Sequence, residues 1–519
     1  MKIMMIVCSI AYLISVAVQV IYGMHMFQLN GYKEKIHLKW INMNRNKFAS
    51  CILIFIWSMV VVFFCNFITL GILILFMVLN SFYFISLEKK KAKKKLVYTK
   101  RVQRMFITLV LLSAVIIVVA FLVPSYVAGG FLLGLMASVV PFEIVLSNFI
   151  NKPVEAGVNR HFINDAKKML QSSPDLCVIG VTGSYGKTSV KFYLDALLRT
   201  KYNVLTTPES YNTPMGVVKT IREHLNPMHE IFICEMGAKN MGDIKELCDI
   251  VHPTHGIITS IGPQHLESFL NIENVLKTKY ELADSLKENG SLFLNYDNEY
   301  ITGYKKYSNT ISYSTQAGET GYYGEIKNVT RKGTVFEVTA PSGESREFTT
   351  KLIGNHNVIN VMGAIAVANT LNIPLDDLIL PVRKLTPVEH RLQLIERNNL
   401  TIIDDAYNSN PVGTKAALDT LAMFSETKIL VTPGMIELGT KENDYNYAFG
   451  KQAAAVCDNI ILVGKKQTES IAKGVLDAGF NSGRLYIADS LQDAMNHAYT
   501  VASEDRKIIL LENDLPDNY

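Results

Sequence analysis

A chain of 519 residues with a formal net charge of +4 is long enough for two to four separately cored domains, and its averages hide two unlike halves. The small positive excess sits mostly in one run beside an apolar region, which excludes nucleic acid as the natural partner. Seven cysteines, at 8, 51, 65, 177, 234, 248 and 457, show no paired spacing, so neither a disulfide framework nor a zinc module is indicated.

The first half reads as membrane helices. Ile3 to Tyr32 carries no charge apart from His25, and residues 49–87 and 105–142 contain no Asp, Glu, Lys or Arg. About 20 apolar residues cross a bilayer, so each longer stretch predicts a hairpin of two helices, with breaks near Asn66–Gly71 and Pro124–Gly130. The first segment lacks the basic start and small-residue cleavage site of a signal peptide, and more spans follow it. Lys33, Lys35, Lys39, Arg45 and Lys47 fill the first loop, and Lys89–Lys91, Lys93–Lys95, Lys100, Arg101 and Arg104 the next polar one, which assigns both to the cytoplasm. Five helices with the N-terminus outside then put everything after about residue 150 in the cytoplasm. The run 89–104 faces the lipid bilayer, where anionic head groups or topology setting account for it.

Residues 151–172 predict an amphipathic linker helix. Beyond it, strand-like runs at 177–182, 202–206, 230–235, 256–261 and 291–295 alternate with helices near 187–199, 214–225 and 273–288. This pattern predicts an α/β fold: a central parallel sheet with helices on both faces. The stretch 308–350 reads as an antiparallel addition and 357–371 as a helix. A second, Rossmann-like series has strands at 401–404, 428–432, 459–463, 484–488 and 507–512, set off by a linker around Pro381–Pro387. The expected division is 1–150 membrane region, 151–172 linker, 173–386 nucleotide-binding domain and 387–519 second domain.

At the first of these strands, Val178-Ile-Gly-Val-Thr182 leads into Gly183-Ser184-Tyr185-Gly186-Lys187-Thr188-Ser189 and then a helical pattern. Strand, glycine turn and helix in that order make a phosphate cradle. The glycines let backbone N–H groups approach an anion, Lys187 supplies charge for terminal phosphates, and the Thr188 hydroxyl can ligate Mg2+. The chain has Val181 where the strict pattern has its first glycine. The strand 230–235 ends in Glu235, and the next runs into Thr259-Ser-Ile-Gly-Pro-Gln-His265; both residues stand at carboxyl ends of parallel strands, where such folds place ligands. Glu235 is a Mg2+ ligand or a structural salt bridge, and His265 a second ligand or a loop cap. By pattern alone Lys279 is a helix-surface lysine, as is its neighbour Lys277.

Thr182-Gly-Ser-Tyr-Gly-Lys-Thr188 resembles the ATP loop of the Mur ligase family, Thr-Gly-x-x-Gly-Lys-Thr. The resemblance implies Glu235 and His265 as magnesium ligands and Lys279 as a lysine carbamylated by CO2. It also implies that Asn212 in Tyr-Asn-Thr-Pro-Met-Gly216 lies near the γ-phosphate, and that His356, Asn357 and Asn360 in Gly354-Asn-His-Asn-Val-Ile-Asn360 hold adenine. Arg391 in His390-Arg-Leu-Gln would reach the phosphates. Asp404-Asp405-Ala-Tyr407-Asn408-Ser-Asn410-Pro411 is similar to the second-domain motif of the D-alanyl-D-alanine-adding branch, with Asp405 on the nucleotide and Tyr407, Asn408 and Asn410 toward the substrate. Taken singly, Asn212 and Asn360 also suit turns or caps, and Asp405 the N-cap of a helix starting at Pro411.

The resemblance implies an ATP-dependent amide-forming ligase of a bacterial cell envelope. It would use ATP and two Mg2+ ions to add an amino acid or dipeptide to a carboxylate-bearing precursor through an acyl phosphate, Lys187, His265, Lys279 and Arg391 carrying the chemistry. Two departures separate the chain from the D-alanyl-D-alanine-adding branch. Apolar helices stand where that branch has a soluble domain for a uridine-diphosphate sugar, and Ile-Leu-Leu-Glu512-Asn-Asp replaces its basic Lys-Gly-Ser-Arg segment. A capsule or poly-γ-glutamate ligase remains the alternative within the enzyme class. An ATP-driven transporter is the alternative outside it, although the spans lack Asp, Glu, Lys and Arg except Glu143.

Overall fold

The computed structural model describes residues 2–64, 66–88, 95–316, 321–397, 400–407, 409–502 and 506–514. Asn408 and most of the lysine run, 89–94, lie outside them. Two compact units divide within one helix, at Arg160 and His161.

The first unit is helical: α1 Lys2–Leu29, α2 Glu34–Met43, α3 Ala49–Phe64, α4 Phe67–Glu88, α5 Lys100–Leu122, α6 Tyr126–Ser138 and the start of α7 Val140–Gln171. Four of its helices are long and apolar enough to cross a bilayer, and the pair α6 and α7, bent by 76°, makes up to a fifth. Helix breaks at 64–67 and 122–126 stand where the two hairpins were expected. The linker helix expected over 151–172 is no separate element, because α7 starts at Val140 and runs 32 residues through Pro153. Apolar side chains fill the inside of this unit and cover much of its outside as well. Phe63, Ile68 and Leu122 are each more than 70% exposed, while Ser15, Gln19, Ser58 and Asn80 are buried. Gln19 donates to the Ala137 carbonyl and Asn80 to the Ser15 hydroxyl, bonds that satisfy polar groups inside an apolar exterior. Gly134 permits close approach, since a Cβ there would collide with Ser58 and Leu73.

The second unit holds two sheets. The first series runs β1 Cys177–Thr182, α8 Lys187–Leu198, β2 Val204–Thr206, α9 Pro214–His224, β3 Ile231–Glu235, α10 Asp243–Val251, β4 His255–Ile258, α11 Leu266–Phe269, α12 Ile272–Asp284 and β5 Leu292–Asn295. After it come α13 Glu299–Thr302, β6 Thr310–Ser314, β7 Tyr322–Thr330, β8 Gly333–Thr339, β9 Ser345–Thr350, α14 Asn355–Thr370 and α15 Leu375–Lys384. These strands form one sheet in the order β2-β3-β1-β4-β5-β6-β7-β8-β9. β1 to β5 are apolar on both faces because helices cover both, as a parallel sheet requires.

The fold differs from the sequence pattern at two places. β6 pairs with β5 in parallel, because the segment between them is long enough to cross over, β7 pairs with β6 in parallel, and only β7, β8 and β9 are antiparallel to one another. Pro381 is not in a linker but inside α15, whose Leu375, Leu378 and Val382 are buried in the core. The connection between the two lobes is therefore short, beginning at Leu385.

The last series is β10 Gln393–Arg397, β11 Leu400–Asp405, α16 Pro411–Ala422, β12 Thr427–Thr432, α17 Glu442–Val456, β13 Asn459–Val463, α18 Glu469–Asp477, β14 Leu485–Ala488, α19 Leu491–Thr500 and β15 Lys507–Glu512. The order is β10-β11-β15-β12-β13-β14, parallel except for the edge strand β10.

Helices α8 and α14 pack together over the first sheet, and this contact fixes the start of α8. Inside it, the Tyr193 hydroxyl donates to Asn357 Oδ1 at 3.1 Å. Tyr193→Phe leaves that buried oxygen without its donor and is expected to lower stability by about 1–2 kcal/mol, measured as a lower midpoint of thermal unfolding.

Candidate active site at the carboxyl edge of the central sheet

β1 ends at Thr182, whose hydroxyl donates to the Met236 carbonyl at 2.9 Å and ties the ends of β1 and β3 together. Val181 lies wholly buried in the strand, so the turn begins at Gly183 and its glycine spacing follows from what each one touches. Gly183 has φ +153°, and a side chain there would collide with Thr259; Gly186 has φ +80°, and a Cβ would stand 2.7 Å from Asn360 Oδ1. Thr259 and Ser260, just past β4, donate their hydroxyls to the Tyr185 carbonyl. Ser184 exchanges hydrogen bonds with Gly262 at 3.0 Å in both directions. The turn is thus clamped from behind, and its N–H groups and α8 start from a fixed frame. Ser189, in the first turn of α8, is buried.

Lys187 Nζ donates to the Gly183 and Ser184 carbonyls at 2.7 and 3.2 Å. Burial chiefly, with Arg391 adding and Glu235 opposing, pulls its pKa down to about 8. Beside it, Glu235 is 1% exposed at the end of β3. Its Oε1 accepts from Thr188 Oγ1 at 3.2 Å and from Asn212 Nδ2 at 3.0 Å. Asn212 fits because residue 237 is glycine: a Cβ there would stand 2.7 Å from Asn212 Oδ1. Glu235 Oε2 lies 3.1 Å from Lys191 Nζ yet accepts no aligned hydrogen bond. Lys191 was invisible to the sequence reading. It stands one turn beyond Lys187 on α8 and is fully buried, a position a lysine holds only against a charge.

His265 follows β4 with φ +51°, and its Nδ1 meets Glu437 Oε2 of the second lobe. Burial, then Lys239 and Lys187, hold the imidazole below its ordinary pKa against the pull of Glu437. Burial would raise the Glu437 carboxyl, but His265 and Lys239 outweigh it and hold it down at about 2. No local pattern marks Glu437, which lies 172 residues from His265.

Lys279 and Lys277 part company in the structure. Lys277 faces solvent, whereas Lys279 is 1% exposed, forms no ion pair among the described residues, and is held well below its ordinary pKa by burial, with Lys187 adding to the shift. Burial disfavours the charged form of an amine at such a position.

The remaining sequence candidates divide. Asn360 sits against Gly186, at the phosphate turn, while both ends of the Asn357 amide are bonded in the core, to Tyr193 and to the Ile353 carbonyl. His356 packs near Thr420 of α16, its pKa lowered to about 4 by burial. Arg391 stacks on the Tyr407 ring, 4.2 Å from its centroid, and lies near enough to Lys187 and Asp405 to perturb both. Asp405 does not cap α16; Asn410 does, accepting from the N–H groups of Val412 and Gly413. Asp405 instead accepts from the Leu392 N–H and adjoins the buried Glu512, and burial raises its pKa to about 6.

The comparisons with known proteins decide the family. Residues 181–368 match the Mur ligase middle domain and residues 390–512 the Mur ligase glutamate ligase domain. The chain is 31% identical over 322 residues to the UDP-N-acetylmuramoyl-tripeptide–D-alanyl-D-alanine ligase of Buchnera aphidicola, covering 61% of this chain and 69% of that one. This chain belongs to the Mur ligase family. The Escherichia coli enzyme of the same name is 31% identical over 307 residues, 57% of this chain and 67% of that one. MurF ligase from Thermotoga maritima, solved with ADP, superposes with a TM-score of 0.60 at 25% identity over 69% of this chain and 80% of that one.

The chain is accordingly an ATP-dependent Mur-type ligase, and Mur ligases use ATP and Mg2+. The donors present fit that ion. Among the described residues no three His, Cys, Asp or Glu side chains form a ready metal cage. Glu235, with one oxygen free of hydrogen bonds, and the Thr188 hydroxyl beside it make a sparse set. Mg2+ accepts such a set, because it keeps waters and draws further oxygens from phosphate.

Breaking the Lys191–Glu235 pair from one side leaves a buried charge alone. Lys191→Met is expected to destabilise the chain by about 3–5 kcal/mol, and the double variant Lys191→Met/Glu235→Gln to recover most of that loss, both read by thermal unfolding.

Proposed function

We propose that this chain adds a D-alanyl-D-alanine-like dipeptide, or a single amino acid, to a carboxylate of a cell-envelope precursor, working at the cytoplasmic face of a bacterial membrane. The observation that carries the reading is the convergence of Lys187, Thr188, Asn212 and Glu235 on the mouth of one clamped phosphate turn, with Arg391 of the second lobe close enough to act on Lys187. Two relatives, named as ligases of D-alanyl-D-alanine to a UDP-N-acetylmuramoyl-tripeptide, support the choice of amine and acceptor. Their name makes a nucleotide-linked muramoyl tripeptide the first acceptor to test.

A carboxylate is a poor acyl donor, so amide formation needs a better leaving group. Transfer of the γ-phosphoryl of ATP to the acceptor carboxylate gives an acyl phosphate. The amine, as free base, attacks its carbonyl carbon, and phosphate leaves. The protein's part is positioning and charge neutralisation. The N–H groups of residues 183–188 and the Lys187 ammonium receive the polyphosphate in place of the Gly183 and Ser184 carbonyls. Arg391, steered by the Tyr407 ring, offsets charge on the transferring group. Thr188, Glu235, His265 and a carbamylated Lys279 would hold Mg2+, which when bound supplies further charge neutralisation at the phosphates. Thr182 and Ser184, by their own hydrogen bonds, keep the turn in register, and His356 and Asn360 line the nucleotide side. Tyr407, Asn408 and Asn410 belong to the segment facing the amine, where Asn410 also caps α16.

The domain assignment proposed is 1–150 in the membrane as about five helices, 151–172 connecting, 173–386 binding ATP and 387–519 closing over it. The exposed apolar faces of α3, α4 and α5 support bilayer contact, and the basic residues of the first loop support a cytoplasmic side for everything after about 150. An anchored enzyme meets its acceptor where lipid-linked envelope intermediates are made.

The full-length chain is expected to release ADP and phosphate only when amine and acceptor are both present, and hydroxylamine should trap the activated acceptor as a hydroxamate. Hydrolysis of ATP driven by neither substrate, or by a translocated solute alone, contradicts the reading. Lys187→Ala should reduce turnover roughly a hundred- to a thousandfold, and Lys279→Ala should lose activity that short-chain carboxylates restore. A cysteine at position 33 or 160 should resist a membrane-impermeant thiol reagent in intact cells; labelling there would place the ligase lobes on the wrong side.

A further inference from the structure

Glu437 lies on the loop after β12 in the second lobe, and its side chain bonds to residues of the first lobe. Its Oε2 meets His265 Nδ1, Lys239 Nζ donates to both oxygens at 3.0 and 3.3 Å, and its own carbonyl accepts from the Glu267 N–H at 3.3 Å. Two residues on, Gly439 with φ +63° comes so close that a Cβ would stand 3.4 Å from the Leu266 carbonyl and the Glu267 nitrogen. The loop is therefore docked against the one-turn helix that begins after His265. At its tip a carboxylate, 28% exposed, reaches across to the imidazole. A lobe contact that served only adhesion would not need a charge aimed at one ring nitrogen.

We infer that Glu437 is a positioning residue: by accepting the hydrogen bond of His265 Nδ1–H it fixes the tautomer and orientation of the ring, so that Nε2 presents its lone pair to the phosphate side only when the second lobe is docked. The inference rests on the proposed ligase reading, in which His265 faces a divalent ion. A carboxylate behind a metal-ligating histidine sets which nitrogen is free and raises its basicity, and loss of such a partner commonly costs ten- to a hundredfold in metal affinity. Lys239 supports the arrangement by donating to both Glu437 oxygens, and its amine keeps the carboxylate from turning away. Lobe docking and completion of the metal site thereby become one event, with no residue of the second lobe touching the ion.

The test is Mn2+ binding to the full-length chain in detergent with a non-hydrolysable ATP analogue, followed by electron paramagnetic resonance of the free ion. This readout requires no turnover. The unaltered chain should bind two ions and His265→Ala one. Glu437→Ala should keep the first ion and weaken the second ten- to a hundredfold. Glu437→Gln, whose amide oxygen still accepts from Nδ1–H, should stay within a few-fold of the unaltered chain, and thermal unfolding should show all variants folded. Wild-type binding of the second ion by Glu437→Ala, while His265→Ala loses it, overturns the inference and leaves the ligase reading intact. A chain that binds no second ion, with His265→Ala then also without effect, overturns the metal reading and the inference together.

Discussion

The buried carboxylate of Glu235 is the constraint on which the rest of the site depends. It ends an apolar strand covered on both faces, so its charge must be met from within the protein. Thr188, Asn212 and Lys191 meet it from three directions, and two of them stand on the helix that starts at the phosphate turn. The position of α8 relative to the sheet is thus set partly by charge, and Lys187 follows. A site assembled around one unshieldable charge is pre-organised before any ligand arrives, which is what phosphoryl transfer requires of a protein that does little covalent chemistry of its own.

Much of this was legible in the sequence, for physical reasons. An apolar run, a glycine turn and a helical pattern admit few arrangements, so β1, the turn and α8 could be placed nearly to the residue. Strand-end placement singled out Glu235 and His265. Pattern could not choose between Lys277 and Lys279, because which face of α12 is buried depends on what packs against it. Lys191 could not be read at all, since a lysine on an amphipathic helix is unremarkable until its partner is known. Glu437 is a tertiary contact between lobes and leaves no local trace. The parallel entry of β6 and β7 was missed because alternation within a strand reports its two faces and not the direction of its neighbour.

The helical unit is built differently from the ligase lobes. It buries an apolar core threaded by a few bonded polar side chains, and it also carries large apolar side chains on its outside. Within the ligase unit, charge recurs as the organising term: Glu235 with Lys191, Glu437 with Lys239 and His265, Asp405 with Arg391. Each joins elements that hydrophobic packing alone would leave free to slide.

The central claim is that the phosphate turn activates a carboxylate by phosphorylating it. The most direct measurement uses a muramoyl tripeptide acceptor labelled with oxygen-18 in its terminal carboxylate, incubated with ATP, Mg2+, D-alanyl-D-alanine and the full-length chain. The account predicts that each inorganic phosphate released carries one labelled oxygen from the acceptor. Phosphate free of label, formed alongside the amide, would contradict it.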